Sequence, residues 1–193
     1  MFNKKIEICN RALGLVNQAP ITSLHDNSTE AQNCNFLYPL VKSDVLTSYP
    51  WKASLQTLVL SAVGNEIYNI KGNLAYKFLL PENCLQVILV NESSFIKQGQ
   101  CIYCSMAKVT ITYSANIIDE ELDCSLAHLI SLKLAYELSY RYAEDNIGLA
   151  GLLQDNYNKE FKILSNQDAK VGANIIPTDI EVGTYSWLTA HMN

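Results

Sequence analysis

The apolar residues of this 193-residue chain change their spacing twice, from helical steps at the N-terminal end to strand alternation in the middle and back to helical steps. Ile6, Cys9, Leu13 and Val16 recur at intervals of three and four, one face of a helix of about four turns. A first helix is expected over 3–17, closed by Asn17 to Pro20. The stretch ITSLHDNSTEAQ is turn-like, and Asp26 or Ser28 is placed to cap a second helix over 28–49. That helix carries Ala31, Cys34, Tyr38, Val41 and Val45 on one stripe. Pro39 falls inside it, where the ring meets the carbonyl four residues back, so a kink or a split is expected. Pro50 then stops the helix, because it lacks an N–H and biases Tyr49 away from helical angles. Trp51 follows at once, too large and apolar to leave in water.

Over 54–114 short runs rich in Val, Ile, Leu and Tyr are separated by Gly, Asn and Pro, which predicts a β-rich insertion. LQTLVL, LAYKFLL, CLQVILV, a piece near SSFIK, QCIYC and KVTITY are the candidate strands. KQGQ and SMAK are expected to be tight connections in one antiparallel meander. The acidic run DEELDC then marks a helix start, since carboxylates complement the positive end of a helix dipole. Leu126, Leu129, Ile130, Leu134, Leu138 and Tyr142 give a third helix, 123–145, a broad apolar face. Leu149, Leu152, Leu153, Tyr157, Phe161 and Leu164 mark a fourth, 148–167, and the short link predicts antiparallel packing of the two. Past Asp168 the helical spacing is lost, and residues 169–193 read as an extended C-terminal arm. The arm carries Ile175, Ile176, Tyr185, Trp187 and Leu188, more apolar surface than a solvated terminus tolerates. The fold class expected is therefore α+β: a bundle of about four helices within a 1–168 body, a small inserted antiparallel β region, and the arm.

Composition narrows the function. With 49% hydrophobic and 17% charged residues the chain can bury a core, and its net charge of -5 provides no basic footprint for gripping nucleic acid. No window approaches a membrane span, and Glu7, Asn10 and Arg11 interrupt the apolar run an export signal needs, so a soluble chain is expected. Cys9, Cys34, Cys84, Cys101, Cys104 and Cys124 are scattered at spacings unlike a secreted disulfide framework, which fits a reducing cytoplasm.

Cys101-Ile-Tyr-Cys104 has the spacing of a redox pair or half a zinc site. On a strand, however, residues three apart point to opposite faces, and no second CxxC or histidine pair completes four ligands. Structural thiols are the expectation. His25, His128 and His191 accompany no nucleophile-elbow signature, and His128 is expected to be packed rather than catalytic. Asp119, Glu120, Glu121 and Asp123 cluster, but their place at a helix start assigns them a capping role ahead of glycosidase chemistry. Without GxGxxG, a Walker loop or a metal-binding helix pair, no catalytic residue, cofactor or metal is expected.

Four pieces in this order carry a resemblance: ICNRALGLVNQAPITSL, YPLVKSDVLTSYPWKAS, FLLPENCLQV, and TYSANIIDEELD leading into two helices. They span most of the chain, which resembles the head-to-tail adaptor family of short-tailed bacteriophages, the tail tubular protein A and tail accessory factor group. The resemblance implies a non-enzymatic virion protein of the tail or neck, assembled in the host cytoplasm. It implies copies joined side by side in a ring, dodecameric by analogy, between the portal protein and a tail nozzle or other tail protein. DNA would pass the ring without specific binding. It also implies that the C-terminal arm reaches the portal, which makes Ile175, Ile176, Pro177, Tyr185, Trp187 and Leu188 the portal-interface candidates. His191 stands where that family's terminal segment commonly has a basic residue. Under the same resemblance Pro50 and Trp51 mark the junction where the chain leaves its helical layer for the sheet. Two other classes stay open: a peptidoglycan hydrolase using the carboxylates with Glu30 or Asp44, and a soluble cellular interaction protein whose CxxC binds metal.

Overall fold

The computed structural model describes residues 3–63, 68–70, 73–92, 94–142 and 147–171. Helix α1 (Lys4–Leu15) opens on Asn3, whose side-chain oxygen accepts the Ile6 N–H. It closes on a Schellman turn: the Gln18 N–H reaches the Leu13 carbonyl, the Asn17 N–H reaches that of Gly14, and Asn17 takes φ +56°. The side chain of Asn10 brackets the Ile21 backbone, donating to its carbonyl at 2.9 Å and accepting from its N–H at 2.7 Å. Ser28, not Asp26, caps α2 (Thr29–Ser48) by accepting the Ala31 N–H, while Asp26 accepts from Thr22 and Ser23 and closes the preceding turn. The helix is not split at Pro39, which lies on its exposed side where a lost backbone bond is left to water.

Tyr49 is extended, and Trp51 then turns back under the helix it has just left. Its indole N–H donates to the Val45 carbonyl at 2.7 Å, so one bond satisfies both a buried donor and one of the four carbonyls the helix end leaves free. The ring is 1% exposed and stands edge-on to Phe161 with centroids 5.6 Å apart.

Among the described residues seven strands, all antiparallel to their neighbours, make two sheets instead of one meander. The first has the order β1 (Leu55–Ser61), β7 (Lys108–Ala115), β4 (Cys84–Val90). The second runs β2 (Tyr68–Ile70), β3 (Asn73–Leu79), β6 (Cys101–Cys104), β5 (Phe95–Gln98). KQGQ is the expected hairpin, with Gly99 at φ +56° first in a two-residue loop. SMAK instead carries the chain from one sheet to the other. The cause lies in β7, whose alternation buries Val109, Ile111, Tyr113 and Ala115 on one face and pairs it with β1 and β4 at the far end of the region. β2, only three residues long, was not among the expected strands.

A single 3-10 turn (Asp119–Glu121) precedes α3 (Cys124–Tyr142), and α4 (Ile147–Val171) follows. α3 touches each of the other three helices and buries Leu126, Leu129, Ile130, Leu134 and Leu138. Phe78, Ile102 and Ile111 of the sheets belong to the same buried cluster as these residues. α4 continues past the expected end at 167, because Ala169, Lys170 and Val171 remain compatible with helix after the amphipathic spacing has stopped. Near its end Asp168 faces Lys52, with Nζ 3.9 Å from the carboxylate, and burial pushes the Asp168 carboxyl up against the opposing pull of Lys52. No helix among the described residues is long and apolar enough to cross a membrane. The arm residues Ile175, Ile176, Pro177, Tyr185, Trp187 and Leu188 lie outside the described residues.

Removing the Trp51 side chain leaves a cavity between α2 and α4 and takes from the Val45 carbonyl one of its two side-chain donors, the Ser48 hydroxyl remaining, so Trp51→Ala is expected to lower unfolding free energy by about 3 to 5 kcal/mol. Urea denaturation followed by circular dichroism checks this, and Trp51→Phe should recover part of the loss.

Candidate functional site

The segment between β7 and α3 gathers the carboxylates singled out from the sequence. They do different things. Asp123 caps α3, its Oδ1 accepting the Leu126 N–H at 2.7 Å. Asp119 does not cap; it pairs with Lys42 of α2 and accepts a hydrogen bond from the Tyr38 hydroxyl at 2.7 Å. Lys42 also donates to the Ile117 carbonyl at 2.6 Å. The Lys42 side chain is 9% exposed and that of Asp119 20%, so the pair is largely desolvated. Burial first, then the bond to Asp119, pushes the Tyr38 hydroxyl far above its ordinary range. The cluster therefore holds one ionised pair and a phenol fixed in its protonated, donating form. It pins the chain leaving β7 onto α2.

Glu120 lines an open cleft of about 450 Å³ with Lys4, Glu7, Arg11 and Cys124. Lys4 also donates to the Leu122 carbonyl across that cleft. Two cations and two carboxylates line this notch, so its side-chain charges balance. Glu30 lies in the first turn of α2, and Asp44 is on the exposed side of the same helix.

The thiols are mostly interior. In β6, Cys104 is buried on the side of Ile102 whereas Cys101 is half-exposed with Tyr103, so the two sulfurs lie on opposite faces. Burial pushes the Cys104 thiol up, and it contacts the Met106 carbonyl at 3.8 Å. Cys9 and Cys34 are buried where α1 meets α2, and the hydrogen bond with Cys34, then burial, raises the Cys9 thiol. Among the described residues no group of three or more His, Cys, Asp or Glu is placed to hold a metal ion.

His25 is exposed in the turn before α2, and His191 lies outside the described residues. His128 is half-buried on α3, between Arg11 of α1 and Glu160 of α4. Its Nδ1 is buried with no hydrogen-bond partner among the described residues. Burial, then Arg11, holds its pKa below the ordinary histidine range, with Glu160 opposing.

Outside these polar clusters, large apolar side chains reach the surface on several elements. Phe36 (60% exposed) and Leu40 project from α2, with the Arg141 guanidinium 5.5 Å from the Phe36 ring centroid. Leu58 and Val59 are exposed at consecutive positions of β1. Sequence reading missed Lys42. Its signal was present, since a lysine directly after Val41 and four residues from Tyr38 falls on the buried side of the α2 stripe. The chain matches no protein-family model and no curated protein.

Asp119→Asn leaves the Lys42 ammonium desolvated without its counter-charge, an expected loss of about 3 to 5 kcal/mol. Glu120→Gln, on the open notch, should stay within about 0.5 kcal/mol of wild type in the same urea titration. For His128, a folded pKa below the unfolded one means that the unfolded chain holds more protons just under the ordinary histidine range, so folding stability declines as pH falls through that range. Urea midpoints at neutral and mildly acidic pH should draw closer together in His128→Gln than in wild type.

Proposed function

We propose that this chain is a structural connector of a virion, a head-to-tail adaptor that forms a ring beneath the portal and joins it to the tail. The observation that carries this reading is the order of elements: two helices, a β region of two small sheets, then two helices packed on one another. It is the order that the resemblance to adaptor proteins implies. In the finer reading the four helices form a bundle, with α3 at its centre, and residues beyond Val171 are an arm that docks on the portal.

A ring needs two different faces that complement each other. The apolar side chains exposed on α2 (Phe36, Leu40) and on α4 (Leu152, Ile163) supply surface of the right kind on separate elements. The arm's Ile175, Ile176, Pro177, Tyr185, Trp187 and Leu188 would bury apolar area on the portal and so offset the entropy of ordering the segment. A net charge of -5 suits a passage that phosphates traverse without being held.

The test uses the portal protein encoded beside this chain. The full chain is expected to bind it, and a chain ending at Val171 is expected to lose at least about a hundred-fold in affinity, about 2.7 kcal/mol, with its thermal unfolding unchanged. Ending the chain at Val171 spares the Asp168–Lys52 contact. Equal binding by the shortened chain would rule out the arm as the portal contact.

A further inference from the structure

Each sheet has two edges, and three of these four are protected in ways that discourage pairing with another chain. β2 is three residues long. β5 is four residues long and presents Lys97. β4 is broken by two register irregularities against β7. β1 is covered at its end, where it approaches β3 and the Val63 N–H just beyond it donates to the Lys77 carbonyl, but LQTLVLS contains no charged residue and no proline, and its seven residues pair with β7 without a register shift.

Which backbone groups of β1 face outward follows from its two ends. The Ala115 N–H donates to the Ser54 carbonyl, and the Ala62 N–H donates to the Ala107 carbonyl. In an antiparallel ladder of period two, the even-numbered residues between them therefore turn their peptide groups toward β7. Thr57, Val59 and Ser61 turn theirs away from β7, as does Val63, whose N–H is taken by Lys77 of β3; the stretch left open is the one around Thr57 and Val59. The side chains there are exposed as well, Val59 by 61% and Leu58 by 43%.

We propose that β1 is a self-pairing edge, and that its occupant is β1 of a second copy of this chain, antiparallel about a two-fold axis through Leu58. Charge argues for self-pairing: an uncharged strand meets its own copy without a like-charge contact, although the chain carries a net charge of -5. Geometry argues for the register. With Leu58 opposite Leu58 of the copy, Thr57 falls opposite Val59 of the copy and Val59 opposite its Thr57. These are outward-facing residues on both sides, so they exchange about four backbone hydrogen bonds. The two three-stranded sheets become one sheet of six strands. The contact joins a face to itself and closes at two copies, so it is separate from the head-to-tail ring proposed above and does not rest on it.

Sedimentation equilibrium on the full chain across a concentration series tests the proposal. Wild type is expected to dimerise, and Val59→Lys to weaken the dimer at least about ten-fold. Val59→Pro should do the same while keeping the circular dichroism of the folded chain, since the N–H it removes points away from β7. In a Cys124→Ser background, Leu58→Cys should give an inter-chain disulfide under copper phenanthroline and air, because residues facing each other across the two-fold have close Cβ atoms. A chain that stays monomeric throughout the series overturns the proposal, as does a dimer that neither Val59 variant weakens. A dimer in which Leu58→Cys does not cross-link overturns the two-fold register.

Discussion

The bond from the Trp51 indole to the Val45 carbonyl fixes how the helical and β parts of this chain meet. It closes the end of α2, turns the chain beneath that helix, and delivers Leu55 to the start of β1 within a few residues. The same ring receives Phe161 of α4 on its other side, so an element from the far end of the sequence rests on the junction. Lys52 and Asp168 meet beside it. One aromatic residue thus couples the exit from α2, the first strand and the last helix. Its energetic weight comes from burying a large apolar surface without stranding the single polar atom that surface carries.

The Lys42–Asp119 pair has a parallel role at the opposite end of the β region. There the chain leaves β7 for α3, and the Ile117 carbonyl, the Asp119 carboxylate and the Tyr38 hydroxyl converge at α2. A desolvated ion pair adds little net stability over an apolar substitute, but it is costly to break on one side only. It therefore favours one placement of this connection over others. Both crossings between helix and sheet are tied to α2, one through an indole and one through a lysine.

Several of the polar groups that sequence inspection flags for chemistry take structural positions. Asp123 caps, Asp119 pairs with a lysine, Cys104 is interior, and His128 sits half-buried between two helices. The surface also carries large apolar side chains, among them Phe36 and Leu40 on one helix and Leu58 and Val59 on β1. Chemistry of this kind suits contact between proteins, which is the common ground of the connector reading and of the self-pairing edge.

Sequence alone determined the helices and most strands, because each rests on local physics. Asn3, Ser28 and Asp123 are caps whose side chains reach only their own helix, and KQGQ makes a hairpin through its own glycine. The Pro50 stop is equally local. Pairing across long separations was not legible. Nothing near SMAK reveals that β6 and β7 belong to different sheets, since that depends on β1 and β4 claiming the two edges of β7. Nor does DEELDC reveal which carboxylate caps and which pairs with a lysine 77 residues earlier. The open stretch of the β1 edge is likewise a tertiary fact: its lack of charge is written in LQTLVLS, but only the strand order leaves one side of it open around Thr57 and Val59. Capping and turning are decided within a few residues of chain, whereas strand partners and buried ion pairs are decided by which surfaces the whole chain brings together.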